Sequence, residues 1–412
     1  MSTTSADPVT TVVGIGADGW HGLSETARSA VTAAEVLFGG QRQLDLVGDV
    51  TATKITWPSP LLAGLDELFA AHAGRRICVL ASGDPLLSGI GGTLVRRYGT
   101  TKLRIIPGVS AVTLARARLG WTAEETETLS TVGRSPQALH RLLTPGRRIL
   151  LLSTDGHTPT TVATLLRQAG YGNSTLTVLE ELGGPAERRL ESTAAGFPAG
   201  SFGALNVVGI ECHPETGTVS LPTTPGLPDD VFDRDAALTK RTVRAATLAV
   251  LAPLPGQLLW DVGSGCGSIA IEWCRTHPAN RAVAIEHEPQ RRERIAANAE
   301  RLGVVNLRIL ADSAPAGLTG LDTPDAVFVG GGLRDGVLPH CWQALEYGGR
   351  IAANGVTLEA ERRLAAAHTD YGGELSRISV EHAEPLGGLT GWSPTRTVTQ
   401  WHAYKPERTN GL

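Results

Sequence analysis

The run Leu258–Gly267, LLWDVGSGCG, constrains this chain more than any other stretch. An apolar pentamer carrying one acid breaks into three alternate glycines and then into the helix-like stretch Ser268–Arg275. Such a run reads as a buried strand turning into a helix, the arrangement by which parallel α/β sheets hold ligands at the carboxyl ends of their strands. A second glycine turn, Val12–Gly19 (VVGIGADG), follows a strand-like run near the start of the chain. Two such turns in 412 residues point to two domains of about 200 residues each, because one core rarely organises a chain of this length.

The clearest break in composition is His213–Asp230, HPETGTVSLPTTPGLPDD, too rich in Pro, Thr and Gly for a regular helix. The expected division is therefore a first domain over residues 1–215, a linker over 216–230 and a second domain over 231–412. In the first, strands are predicted at Val12–Ile15, Arg76–Leu80, Leu103–Ile106, Arg148–Leu152, Ser174–Leu179 and Leu205–Ile210, interleaved with helices such as Leu23–Ala34 and Thr160–Ala169. In the second, strands are predicted at Leu258–Val262, Arg281–Ile285, Leu307–Leu310, Ala326–Val329 and Arg350–Ala353. Alternating strand and helix implies parallel sheets in both. At the end of the chain, Glu374–His382 and Thr395–Tyr404 read as an antiparallel pair joined by a long loop, EPLGGLTGWSP.

A net charge of −4 gives no general attraction to nucleic acid or to an anionic membrane. Nearly all the positive charge is arginine, since the only lysines are Lys54, Lys102, Lys240 and Lys405. Arginine suits carboxylate recognition, although a GC-rich genome accounts for the bias as well. Cysteines at 78, 212, 266, 274 and 341 form no C-x-x-C pair, which argues against disulfides and zinc and for a reducing compartment. Neither a leader segment nor an apolar run long enough to span a membrane is evident, so a soluble, cytoplasmic protein is expected.

In the second half, Asp261 ends the first strand and Gly263, Gly265 and Gly267 form the turn; Glu286 follows the second strand and Asp312 the third. The order suits S-adenosylmethionine. A glycine turn before a helix N-terminus favours a carboxylate, Asp261 can take the ammonium, Glu286 the two ribose hydroxyls and Asp312 the adenine amino group, with Ser313 beside it. Gly330, at the end of the fourth strand, is a further candidate contact. A nicotinamide site shares the first two elements, but its turn is G-x-G-x-x-G and lacks the leading Asp. Glycines that only make a tight turn would not explain acids at three successive strand ends.

In the first half, Gly14 and Gly16 open a turn of the common G-x-G-x-x-G kind, and the acid a dinucleotide fold would place near Leu37–Gly40 is missing. Ser82–Pro85 (SGDP) and Pro107–Ala111 (PGVSA) follow two other predicted strands and read as turns where a ligand can bind.

VVGIGADG, SGDP and PGVSA in this order, continued by ARLGWTAEETETLSTVGR at Ala117–Arg134, resemble the tetrapyrrole (precorrin) methylase family over residues 10–212. Gly16-Ala17-Asp18-Gly19 stands where most members read Gly-Pro-Gly, a change that the branch resembling C-5 precorrin methylases tolerates. From about Gly226 the chain resembles small decarboxylating precorrin methyltransferases through LPDDVFDRDAALTKRTVRA (Leu227–Ala245), DVGSGCGS and VGGGL (Val329–Leu333). The resemblance implies an α/β protein: a tetrapyrrole-methylase fold of two α/β subdomains, followed by a Rossmann-like class I methyltransferase domain. It implies one S-adenosylmethionine per domain, held by Gly83, Asp84, Pro85 and Ser110 in the first and by Thr239 with Gly263, Gly265, Gly267, Glu286 and Asp312 in the second. A small-molecule tetrapyrrole substrate, a homo-oligomer, and no nucleic acid, membrane or metal complete the expectation.

Methyl transfer to an electron-rich carbon needs alignment more than a strong base, in keeping with the scattered histidines and the lack of a nucleophile motif. A neighbour such as His340, beside Cys341, reads as helix packing. A substrate with many carboxylates needs cations, for which Arg334 and Arg396, near Trp392, are the candidates, although loop residues of this kind are more often plain surface.

Overall fold

A computed structural model describes residues 9–234 and 238–406. Two compact units emerge, one of residues 1–136 and 144–218, the other of residues 137–143 and 219–412.

The first unit holds two sheets. In one, β1 (Thr10–Ile15), β2 (Val36–Gly39), β3 (Thr53–Thr56), β4 (Ile77–Ser82) and β5 (Leu103–Ile106) lie in the order β3-β2-β4-β1-β5, every pair parallel. The central strands β1, β2 and β4 are almost wholly buried, as apolar runs covered by helices on both faces must be. The parallel order gathers the carboxyl ends of β1, β4 and β5, and with them all three turns singled out in the sequence.

The other sheet comprises β6 (Thr126–Ser130), β7 (Arg148–Leu152), β8 (Thr175–Glu180), β9 (Arg188–Thr193) and β10 (Asn206–Glu211), ordered β6-β7-β10-β8-β9. It departs from the parallel sheet expected of alternating elements. Only β6 and β7 are parallel, while β10 runs against both β7 and β8, and β8 against β9. The reason is the connections: β9 returns from β8 without an intervening helix, so that pair is antiparallel, and β10 enters between β7 and β8 and runs against both.

The second unit is one seven-stranded sheet, ordered β13-β12-β11-β14-β15-β19-β16. Here β11 is Leu258–Val262, β12 Arg281–Ile285, β13 Leu307–Leu310, β14 Ala326–Val329, β15 Arg350–Gly355, β16 Glu374–Ile378 and β19 Val398–Tyr404. The first five strands are parallel, and β19 and β16 close the edge antiparallel. All five residues of β11 are buried, and each apolar side chain there contributes roughly 1.5–3 kcal/mol. Strand order reverses between β11 and β14, a switch point that leaves a crevice at the strand ends.

The segment EPLGGLTGWSP is no loop. It forms β17 (Glu381–Leu386) and β18 (Leu389–Pro394), a ribbon closed by Gly387-Gly388 with Gly387 at φ +62°. Gly387 supplies the left-handed first position of a two-residue hairpin, so the flanking residues zip together. The predicted linker also packs: Leu227 is 1% exposed and belongs to the core of the second unit.

Candidate functional site

In the second unit, the end of β11 carries a carboxylate with unused capacity. Asp261 is 1% exposed; its Oδ2 accepts from Ser264 Oγ at 2.7 Å and from the Ala270 amide at 3.1 Å, while its buried Oδ1 has no partner. Burial pushes its pKa up to about 6, aided by the nearby Glu286 carboxylate and opposed by the bonds from Ser264 and Ala270. An unpaired carboxylate oxygen inside a protein is costly, and a cation is its natural partner. Glu286, 2% exposed at the end of β12, accepts from the amides of Gly265 at 3.0 Å and Glu288 at 3.0 Å. Oε2 keeps a lone pair for a further donor, while Oε1 also lies 3.2 Å from His287 Nδ1. Asp312 and Ser313 lie exposed after β13, where Asp312 Oδ1 accepts from the Ser313 amide at 2.7 Å.

The three glycines divide their labour. A Cβ on Gly263 would stand 2.6 Å from the Gly331 carbonyl, so Gly263 allows the β11 and β14 loops to meet. One on Gly267 would press on Ile295 at 3.0 Å, so Gly267 serves packing against the helix Pro289–Arg301. Only Gly265, at φ +61°, faces open space, with nothing within 4 Å of an added Cβ. Of the three, Gly265 alone presents an open Cβ position toward a ligand.

Next to this crevice lies a cavity of about 750 Å³. Thr239, Gly330, Arg334 and Arg396 all line it. The Gly330 amide donates to the Val262 carbonyl at 3.0 Å, tying β14 to β11. Trp392 does not line the cavity: it sits on β18, 73% exposed. Sequence reasoning missed Lys240, Arg241, Arg363 and Asn354, which line the same cavity. It also missed Arg244, a fully buried cation that donates to Glu272 at 2.5 Å, to Asp229 at 3.1 Å and to the Thr239 carbonyl at 2.6 Å. An arginine inside an otherwise apolar helical run, RAATLAVL, was the available signal.

In the first unit, the three turns interlock. The Gly83 amide donates to the Ile15 carbonyl at 2.9 Å and the Gly108 amide to the Gly83 carbonyl at 3.0 Å. A Cβ on Gly14 would fall 1.8 Å from that Gly83 oxygen, so only glycine fits. Around them is a cavity of about 400 Å³, lined by Gly16, Gly83, Asp84 and Ser110. Asp84 caps its own turn by accepting from the Leu86 amide at 2.9 Å, and Ser110 caps the helix Ala111–Leu119 through the Thr113 amide at 3.1 Å. Gly14 and Pro85 lie outside the lining and act as supports; Pro85 backs Gly91 in the helix Ile90–Tyr98. Where a dinucleotide fold has its acid, this cavity has Gly40, Arg42 and Gln43, the last donating to Ser82 Oγ at 2.7 Å.

An acid-ended strand, a glycine turn and a second buried acid on a sheet of this order define the second unit as a methyltransferase domain. Comparison with known proteins agrees: residues 230–405 match the precorrin methyltransferase domain family, and residues 10–198 the tetrapyrrole (corrin/porphyrin) methylases. The chain is 44% identical to the precorrin-6Y C(5,15)-methyltransferase [decarboxylating] of a Sinorhizobium species, over 96% of each protein. Two shorter relatives are similar to part of it. The cobalt-precorrin-7 C(5)-methyltransferase of Salmonella typhimurium is 33% identical over 43% of this chain and 87% of its own length. The probable cobalt-precorrin-6B C(15)-methyltransferase (decarboxylating) of Pyrobaculum aerophilum is 35% identical over 44% of this chain and 96% of its own. The chain belongs to the precorrin-6Y C(5,15)-methyltransferase (decarboxylating) family, S-adenosylmethionine-dependent C-methyltransferases of cobalamin biosynthesis. Among the described residues, no helix is long and apolar enough to cross a membrane.

Proposed function

We propose that each unit holds one S-adenosylmethionine and that the two units share the work on precorrin-6Y. In this reading the first unit methylates C-5; the second methylates C-15 and releases carbon dioxide from an acetate arm, giving precorrin-8X. The observation that carries the second site is the orphaned Oδ1 of Asp261, buried at a strand end beside the open face of Gly265. These residues fit the cofactor: Asp261 would take the ammonium, Glu286 the ribose hydroxyls, and the turn at Gly265 leaves room for the chain between them. Asp312 and Ser313 stand where the adenine edge would lie. In the first unit the interlocked turns at Gly16, Gly83, Asp84 and Ser110 would hold the second copy.

When bound, S-adenosylmethionine supplies an electrophilic methyl group. The protein's part is alignment, which by itself is worth roughly 7–11 kcal/mol of barrier. Exposed cations on the larger cavity, Lys240, Arg334 and Arg396, suit a macrocycle that carries many carboxylates. The enzyme acts as a homo-oligomer on this small molecule, without nucleic acid; Leu386, Leu389 and Trp392, each at least 71% exposed on the β17–β18 ribbon, offer an apolar surface for self-association. Equilibrium dialysis tests the cofactor reading. Two S-adenosylmethionine molecules per wild-type chain and one per Asp261→Ala chain are expected; one per wild-type chain would remove a site.

A further inference from the structure

The larger cavity has two kinds of wall. Its exposed side carries Lys240, Arg334 and Arg396. Elsewhere it is lined by Asn354, half-buried at the carboxyl end of β15 and backed by two buried polar residues: Thr247, 0% exposed, and Gln400, 3% exposed. Thr247 belongs to the helix Arg241–Leu251, and Gln400 lies directly across the ladder from Asn354 on β19.

The hydrogen bonds of this trio allow one orientation. Thr247 spends its only hydrogen on the Val243 carbonyl at 2.8 Å, so its oxygen must accept from its neighbours. Both amide nitrogens therefore turn toward it, Asn354 Nδ2 at 2.9 Å and Gln400 Nε2 at 3.1 Å. Gln400 Nε2 also donates to Asn354 Oδ1 at 2.9 Å. Asn354 is left with one amide hydrogen and one carbonyl lone pair for the cavity that it lines. Three uncharged residues from a helix and two strands thus aim a single neutral donor.

A neutral donor suits one substituent of this substrate better than any cation. A carboxylate that must stay is best held by arginine or lysine. A carboxylate that must leave as carbon dioxide is poorly served by a countercharge, because an ion pair stabilises the charged ground state and the charge is gone once the bond has broken. What it needs is orientation away from water.

We infer that Asn354 holds the departing acetate carboxylate, with Thr247 and Gln400 as positioning residues that act through it; this rests on the reading of the cavity as the substrate site of the second unit. In the step, the bond between the carboxyl carbon and its methylene breaks and the carboxyl group leaves as carbon dioxide. The bonding pair passes to the methylene and the conjugated ring and is quenched by a proton from solvent, leaving a methyl group. No other reactant is required.

The test is mass spectrometry of products formed by the full-length enzyme from precorrin-6Y and S-adenosylmethionine. With Asn354→Ala, carbon dioxide loss should slow roughly 10- to 100-fold, the scale of a misplaced reacting group, so that a methylated product still bearing the extra carboxyl accumulates. Thr247→Val keeps the shape and leaves Asn354 in place with Gln400 as its remaining tether, and it should give the same heavier product with a several-fold smaller effect. It also serves if Asn354→Ala does not fold. Equal slowing of methylation and carbon dioxide loss in both variants, or unchanged carbon dioxide loss, overturns the inference. A separate variant, Arg334→Ala/Arg396→Ala, tests the underlying site: wild-type carbon dioxide release from it would remove the cavity as the substrate site, whatever Asn354 does.

Discussion

Replacing Arg244 by methionine strips a buried ion pair of its cation. Arg244 is 0% exposed and Glu272 2%. Glu272 also accepts from the amides of Gly226 at 2.6 Å and Leu227 at 3.0 Å, so in the variant its charge stays buried, with neutral donors only. Arg244 in turn donates to the carbonyls of Leu227 and Thr239 and lies 4.9 Å from the Phe232 ring centroid. Removing one member of such a pair costs about 3–5 kcal/mol, because the other is left uncompensated. For a unit of this size each kcal/mol shifts the melting point by about 2–4 °C, so a fall of roughly 6–20 °C is expected in calorimetry. The partner experiment is Arg244→Met/Glu272→Leu, where no fully buried charge is stranded and the partly exposed Asp229 keeps Lys240 at 3.9 Å; most of the loss should return, since apolar replacements of whole buried pairs are often neutral. A loss below about 1 kcal/mol for Arg244→Met, or a double variant no better than the single, would refute the view that this pair clamps Gly226, Leu227, Asp229 and Thr239 onto the helix Ser268–Thr276.

Asp261 makes stability and binding depend on pH in opposite directions. Its folded pKa of about 6 lies above the ordinary 3.8, so the folded state binds the proton more tightly. The stability that this group contributes is fully present below pH 3.8 and is lost as pH rises through about 6, a swing of about 3 kcal/mol that Asp261→Asn should flatten in urea titrations. Cofactor affinity of the second unit should instead fall as pH drops below about 6, where protonation removes the carboxylate proposed to take the ammonium; affinity independent of pH would count against that contact. Gly265→Ala should fold with a loss of roughly 1–2 kcal/mol from left-handed strain yet bind one cofactor fewer by dialysis, whereas Gly263→Ala, 2.6 Å from backbone, should fail to fold normally by circular dichroism. Ser110→Ala removes the cap of the helix Ala111–Leu119 and should cost about 1 kcal/mol in urea unfolding.

The parallel core was legible because its strands are continuous apolar runs. β11 to β14 match their predicted bounds, and Asp261, Gly265 and Glu286 fall at adjoining strand ends as the motif implied. Four strands of the first unit were not predicted, for two reasons. Thr53–Thr56, Thr126–Ser130 and Arg188–Thr193 are short, polar and at sheet edges, and Val36–Gly39 is a four-residue apolar run that periodicity cannot separate from loop. The ribbon β17–β18 was hidden by glycines and prolines that usually mark loops and here shape a hairpin. Pairings between distant positions were out of reach altogether. Arg244 with Glu272 and Asn354 with Thr247 and Gln400 are separated by 28, 107 and 46 residues, and no local pattern joins them. Trp392 shows the opposite error: proximity in sequence to Arg396 suggested a shared site, but Trp392 stands exposed on β18 while Arg396, beyond the end of that strand, lines the cavity.

The division of labour is tested most directly by the mass of the product that each single-site variant makes from precorrin-6Y and S-adenosylmethionine. Wild type should gain two methyl groups and lose one carbon dioxide. A variant blocked at Gly265 in the second unit should gain one methyl group and keep every carboxyl, and one blocked at Gly83 in the first should gain one methyl group and lose carbon dioxide. Carbon dioxide loss that survives the Gly265 block and disappears with the Gly83 block would contradict the assignment of the two units.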